Sequence, residues 1–345
     1  MTNNLSPLHN LALTALQNYD LDIRDIRLVG QFTNTIFRAK TGDGKSYLVR
    51  LCRPGWRTLV DLRSEAAWME ALSRDPSIGA PAPVRDRNGE FVVEFEGAAA
   101  GVIDAPDLTA ALLPEMRGEP PRCMVTTWIP GVSMEKRMTE ENFTKLGELF
   151  TRLHEHALGI SPPPGFTTRR MDSIYARGEA DELFSERFRS AFTPRSREIY
   201  ERTRQVVEAA YASLFRQPGM RPIHNDLAQG NVLVYRGRLH PLDFEDTIWG
   251  YPVHDIAYAL FDLSREVPPD DYERLRACFR AGYESRLPWP ESAPGQIDAF
   301  CAGRMIWVTN YVALYEEEYL EQHIAWNARV FEHFLESGEV SFRYR

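Results

Sequence analysis

The chain has 345 residues, 43% of them hydrophobic and 26% charged, which allows a sizeable core and two domains and excludes a collagen, a coiled coil or a wholly disordered polymer. Forty Lys and Arg against 49 Asp and Glu leave a net charge of −9, which speaks against a general nucleic-acid binder, since the phosphate backbone demands a basic surface. The cysteines, Cys52, Cys123, Cys278 and Cys301, are dispersed, with no CxxC pair and no clustered His, so they read as reduced core thiols rather than zinc ligands.

Met1 to Tyr19 lacks a basic start followed by an apolar run, and no stretch approaches the ~18 apolar residues of a membrane span. A cytoplasmic protein with neither a membrane nor a nucleic-acid partner is expected. Ser6-Pro7 opens a short helix ending near Leu16. Ile26–Val29, Thr35–Ala39 and Tyr47–Leu51 then read as three antiparallel strands, with Gly30 in the first gap and Gly42-Asp43-Gly44 in the second. Leu59 to Leu72 returns to helical spacing, with Leu62, Ala66, Met69 and Leu72 on one face and Glu65 close to it. Phe91–Phe95 and Arg122–Trp128 look like two more strands, joined by a long connection with a helix expected near Leu108–Leu113.

After Pro130-Gly131 the chain reads mainly helical: Phe143–His156, Ser196–Leu214, Pro252–Leu263, Asp271–Ser285, and Ile297 to about Leu335 with a break. Strands first and helices after make an α+β pattern, divided into residues 1–128 and 129–345, with the cleft between as the default ligand site. On the last helical stretch Trp307, Tyr311, Tyr315 and Tyr319 are spaced by four. They are expected to form a core-facing stripe, and Glu316-Glu317-Glu318 a solvated face. The competing reading makes them an acidic, aromatic wall for a cationic substrate.

The densest chemical signal runs from Ile223 to Glu245. His224, Asp226 and Asn231 stand at spacings of two and five, and Asp243 follows twelve residues after Asn231 on a hairpin turning at Arg236-Gly237-Arg238. This order fits the kinase pattern HRDxxxxN followed by a metal-binding Asp. Phosphoryl transfer requires a base to orient and deprotonate an acceptor hydroxyl, and oxygen ligands for the Mg²⁺ that accompanies ATP. Asp226 suits the base, Asn231 and Asp243 the metal, and His224 a buried support for the loop.

At these residues the chain resembles the aminoglycoside phosphotransferase and choline kinase family, which has a protein-kinase-like fold with a small antiparallel β-sheet lobe and a larger, mainly helical lobe. His224 to Asn231 is similar to that family's HGDLHxGN, with Asn225 in place of Gly and Ala228 in place of the second His, and Asp243-Phe244-Glu245 resembles its D-[FW]-[ED]. Gly250 to Ala257 resembles G-x-P-x-x-D-[LI]-A, whose Asp, here Asp255, braces the catalytic loop; by itself Asp255 reads as a charge favourable to a helix N-terminus.

The resemblance further implies that Arg50 contacts the α- and β-phosphates, with Glu65 as its ion-pair partner. It implies too that Gly30 to Thr35, including Phe32 and Asn34, covers the phosphates, and that Trp128 to Gly131 is the hinge that meets adenine. The expected activity is ATP- and Mg²⁺-dependent phosphorylation of a small-molecule hydroxyl. The alternatives are a bacterial Ser/Thr protein kinase of the same fold and a catalytically silent nucleotide-binding scaffold.

Overall fold

A computed structural model describes residues 7–95 and 120–344. The helix expected near Leu108–Leu113 and the Ser6 cap lie outside them. The chain divides into two compact units, one running to Pro130 and taking in Ser161–Thr167, the other comprising Gly131–Ile160 and Thr168–Arg345.

In the first unit, helix α1 (Pro7–Leu16) precedes strands β1 (Ile23–Gln31), β2 (Thr35–Thr41) and β3 (Ser46–Cys52), helix α2 (Leu59–Ser73), and strands β4 (Val92–Glu94) and β5 (Arg122–Thr127). The strands form one antiparallel five-stranded sheet in the order β1-β2-β3-β5-β4. Alternation decides which side each residue serves. Phe37, Ala39, Val49, Leu51, Cys123 and Val125 join Leu8, Ala12, Ala15 and Leu16 of α1 in one buried cluster. Arg50, between Val49 and Leu51, therefore leaves the opposite face of β3. Reciprocal bonds at the start of α2 set that helix: the Asp61 amide donates to Thr58 Oγ1 at 3.2 Å, and the Thr58 amide to Asp61 Oδ2 at 3.0 Å. The Ser161–Thr167 segment is tied on by the Thr167 amide, which donates to Ser64 Oγ of α2 at 3.0 Å.

The second unit contains helices α3 (Glu140–Leu158), α4 (Pro194–Leu214), α5 (Pro252–Glu266), α6 (Pro269–Glu284), α7 (Gln296–Tyr315) and α8 (Leu320–Ser337). Its short strands are β6 (Val132–Ser133), β7 (Arg221–Ile223), β8 (Val232–Tyr235), β9 (Arg238–Pro241) and β10 (Ile248–Gly250). They make two small ladders, β6-β8-β9 and β7-β10. Helices α3 and α6 cross at two glycines. A methyl group on Gly282 would overlap the Thr144 carbonyl, and one on Gly147 would come within 2.6 Å of the Tyr283 nitrogen, so only glycine permits this approach.

The break expected after Ile297 falls between α7 and α8, at the single turn Glu317–Tyr319. The aromatic stripe that runs along α7 and into the turn after it departs from the core-facing expectation. Tyr311, Tyr315 and Tyr319 are exposed, Tyr315 by 68%. The buried side of α7 is carried instead by Phe300, Met305, Ile306 and Ala313. This helix is apolar on so much of its circumference that spacing alone does not say which side packs. Among the described residues, no helix is long and apolar enough to cross a membrane.

Candidate active site

The second unit builds the loop that carries Asp226 from paired strands. β7 pairs antiparallel with β10, Ile223 opposite Ile248, and the chain leaves β7 directly into His224. It returns through a tight turn, Gln229–Asn231, into β8, which pairs with β9, Tyr235 opposite Arg238. The two residues between, Arg236 and Gly237, both have positive φ, 49° and 74°, as a two-residue hairpin of matching twist requires. Asp243 then follows β9. One main-chain bond and one side-chain bond hold its approach against the loop: the Leu242 amide donates to the Asn231 carbonyl at 2.8 Å, and His224 Nε2 donates to the Leu242 carbonyl at 2.7 Å.

Asn231 and Asp226 are brought into contact. Asn231 Nδ2 donates to the Asp226 main-chain carbonyl at 2.8 Å and to its Oδ2 at 2.9 Å. The other carboxylate oxygen, Oδ1, takes Arg304 Nη2 of α7 at 3.3 Å. Burial pushes the Asp226 carboxyl well up from its ordinary value and the Asp246 carboxylate adds to that, while Arg304 opposes both. Even so, 30% of the Asp226 side chain remains open to an incoming molecule.

Asp255, on the first turn of α5, fastens the loop from behind. Its Oδ1 accepts the Asn225 amide at 2.7 Å, and its Oδ2 accepts the His224 amide at 3.3 Å and His154 Nε2 at 3.1 Å. A carboxylate can only accept, so His154 donates through Nε2, while its Nδ1 lies 3.1 Å from the Tyr283 hydroxyl. Burial alone would raise the Asp255 carboxyl, but His154, His224 and the Asn225 amide outweigh it and hold it low. His224 is fully buried and pushed down by that burial, so it is a neutral prop. Asn225 has φ of 67°, the left-handed region that favours glycine and tolerates asparagine. Asp243 is also left-handed, with φ of 57°. A side chain held there implies that the surrounding bonds dictate the backbone.

In the first unit, Arg50 and Glu65 form a two-point ion pair, Nη1 to Oε1 at 2.9 Å and Nη2 to Oε2 at 2.6 Å, with side chains only 6% and 4% exposed. Asn34 is buried, and its Oδ1 accepts the Arg53 amide at 3.0 Å. Phe32 is exposed, and its amide donates to the Asn34 carbonyl at 2.9 Å, closing the turn between β1 and β2. Trp128 follows β5; its amide donates to the Ser46 carbonyl at 3.0 Å and the Arg38 guanidinium lies 4.7 Å from its ring.

Arg304, Asp246 and Glu179 were not singled out by sequence reasoning. Asp246 lies three residues past Asp243, but Arg304 reaches Asp226 across 78 positions. Glu179 accepts the Trp307 indole N–H at 2.9 Å across 128. No local pattern announces either.

Residues 25–289 match the sequence pattern of the phosphotransferase enzyme family. The chain belongs to that family. Among solved structures, this phosphotransferase is similar to a microcompartment-associated aminopropanol kinase, with a TM-score of 0.73 and 18% identity over 96% of this chain and 99% of that one. An amicoumacin kinase in complex with AMP-PNP and Ca²⁺ gives 0.70 and 16% over 91% of each. A choline/ethanolamine kinase family protein from Mesorhizobium loti gives 0.57 and 14% over 98% of this chain and 97% of that one. The phosphotransferase thus has the protein-kinase-like fold of these enzymes, in the α+β form expected from its sequence. Comparison of its sequence with curated proteins finds no match.

Proposed function

We propose that this phosphotransferase moves the γ-phosphoryl group of ATP, with Mg²⁺, to a hydroxyl group of a small molecule. The observation that carries the reading is the grip on Asp226: Asn231 holds one oxygen, Arg304 steadies the other, and part of the side chain stays open. In the reaction, Asp226 Oδ1 accepts the acceptor's hydroxyl proton as the new oxygen–phosphorus bond forms and the bond to the β-phosphate oxygen breaks. Burial that raises the carboxylate's proton affinity favours that transfer, and Asp255 keeps the loop in place through it.

The donor set fits Mg²⁺. Asn231 commits its amide nitrogen to Asp226 and so offers its carbonyl oxygen, and Asp243 adds an anionic oxygen. When bound, the ion neutralises charge on the triphosphate. In the first unit, Arg50 would contact the α- and β-phosphates while Glu65 fixes its guanidinium. The turn holding Phe32 and Asn34 would cover the phosphates, and main-chain groups from Trp128 onward would meet adenine. The four cysteines are free thiols, in keeping with a cytoplasmic setting.

A small-molecule acceptor is favoured over a protein by the short path of the chain beyond Asp243. One turn, Phe244–Asp246, leads into β10, and α5 begins at Pro252, leaving no long segment on which to lay a peptide. The test is a radiolabelled-ATP screen of amino alcohols, sugars and aminoglycosides beside generic protein substrates, repeated with Asp226→Asn. We expect label in a small molecule, and a loss of turnover of about 10²–10⁴-fold in the variant with nucleotide binding kept. Near-normal turnover by the variant, or label in protein alone, refutes the reading.

A further inference from the structure

We infer that Arg304 is a positioning residue for the phosphoryl-transfer reaction: clamped on α7, it fixes the rotation of the Asp226 carboxylate so that Oδ1 faces the acceptor hydroxyl. The inference rests on Asp226 being the base. Asn231 holds Oδ2, but one bond leaves the carboxylate free to swing about it; a second contact on Oδ1 removes that freedom. At 3.3 Å the Arg304 contact is longer than a tight charge-assisted bond, so it orients Oδ1 and leaves that oxygen able to accept a hydroxyl proton.

Arg304 is itself held on several sides. Its guanidinium carbon lies 4.6 Å from the Tyr258 ring and 4.5 Å from the Trp307 ring. The Tyr258 hydroxyl is 3.3 Å from that of Tyr211. The Trp307 N–H donates to Glu179 Oε1 at 2.9 Å, and Glu179 Oε2 accepts the Arg177 amide at 2.9 Å. The loop carrying Glu179 is pinned to α7 by Asn310, which accepts the Leu183 amide and donates to the Ala180 carbonyl, both at 2.9 Å. A planar guanidinium suits a seat between two rings, where an ammonium would lose the stacking. A residue that only balanced charge would not need such a seat.

The test uses the full chain with MgATP and water as acceptor, following phosphate release. It compares wild type with Asp226→Asn, Arg304→Gln, Arg304→Lys, and Asp226→Asn combined with Arg304→Gln. Arg304→Gln should lower kcat about 10–100-fold, the scale of a misplaced reacting group, with KM for ATP within about two-fold. Arg304→Lys should fall between, and Arg304→Gln should change kcat less than about two-fold once Asp226 is already Asn, since it acts through that residue. Equal losses in both backgrounds, or wild-type kcat in Arg304→Gln, overturn the inference. Wild-type kcat in Asp226→Asn instead removes the base assignment, and the inference with it. Should Arg304→Gln not fold, Trp307→Phe, which keeps the ring and loses the Glu179 bond, takes its place. It should lower kcat about 2–5-fold with KM unchanged, and unaltered kcat in both it and Arg304→Lys refutes the role.

Discussion

Replacing Asp255 with Asn separates two accounts of that residue by their magnitudes. If its charge merely favoured the N-terminal end of α5, the change would cost ~0.3–1 kcal/mol. The bonding makes a larger claim. Oδ1 accepts the Asn225 amide, while Oδ2 accepts both the His224 amide and His154. An asparagine offers one carbonyl oxygen and one NH₂. With the oxygen toward Asn225, His154 can change tautomer and accept from the NH₂, but the His224 amide is left facing a donor. With the oxygen reversed, the Asn225 amide is stranded. Either way one buried N–H loses its acceptor, at about 1–3 kcal/mol, and the surviving bonds lose their charge assistance. We therefore expect a loss of about 2–4 kcal/mol in urea denaturation, and a kcat reduced at least ~10-fold, because Asn225 adjoins Asp226. A variant within about 0.5 kcal/mol of wild type and equally active would refute the bracing argument.

Three further outcomes are expected. Glu65→Gln should cost about 3–5 kcal/mol by breaking the buried two-point ion pair with Arg50, and should raise KM for ATP; Arg50→Met with Glu65→Leu should recover stability but not nucleotide affinity, read by denaturation and nucleotide titration. Gly282→Ala should destabilise by about 1–3 kcal/mol or more, since the clash is with the Thr144 carbonyl and not a movable side chain; an unchanged melting temperature would contradict the close crossing of α3 and α6. His254 is buried, packed on Phe300 with ring centres 4.3 Å apart, and its pKa is pushed down to about 3 by that burial. The unfolded chain protonates it from pH ~6.5 downward while the folded chain does not, so stability falls by about 1.4 kcal/mol per pH unit between those values and is whole above them. Urea midpoints across pH 4–8 should slope less in His254→Phe, and parallel slopes would show that this histidine is not responsible.

Much of the architecture was legible because it rests on short-range rules. Runs of strand-forming residues punctuated by Gly30 and Gly42-Asp43-Gly44 revealed the strands from Ile26 to Leu51, and helical spacing revealed α2. Gly237, within Arg236-Gly237-Arg238 between two apolar runs, made the hairpin before Asp243 foreseeable. Strands such as β7 and β10 hold only 3 residues each, too few for a period to register, and exist because they pair with one another. The Asp226 loop could be read because Asp226, Asn231 and Asp243 lie within one stretch. Its flanking support could not, because Arg304, Trp307 and Glu179 meet only when α7 passes the loop. The aromatic stripe misled for a related reason: α7 is apolar nearly all round, so burial is decided by neighbours absent from the local pattern.

The Ser161–Thr167 segment bears on how this polypeptide can be dissected. Its neighbours in the chain, Gly131–Ile160 before and Thr168 after, belong to the other unit, so the backbone passes from one body to the other and back again. Thr167 anchors to Ser64, while the adjacent Thr168 donates its hydroxyl to the Thr247 carbonyl at 2.9 Å. A gene split at residue 130 would therefore yield one fragment missing a strap and another carrying a loose one. Neither half would reproduce a native unit, and complementation or domain-swap experiments should carry the strap with the sheet.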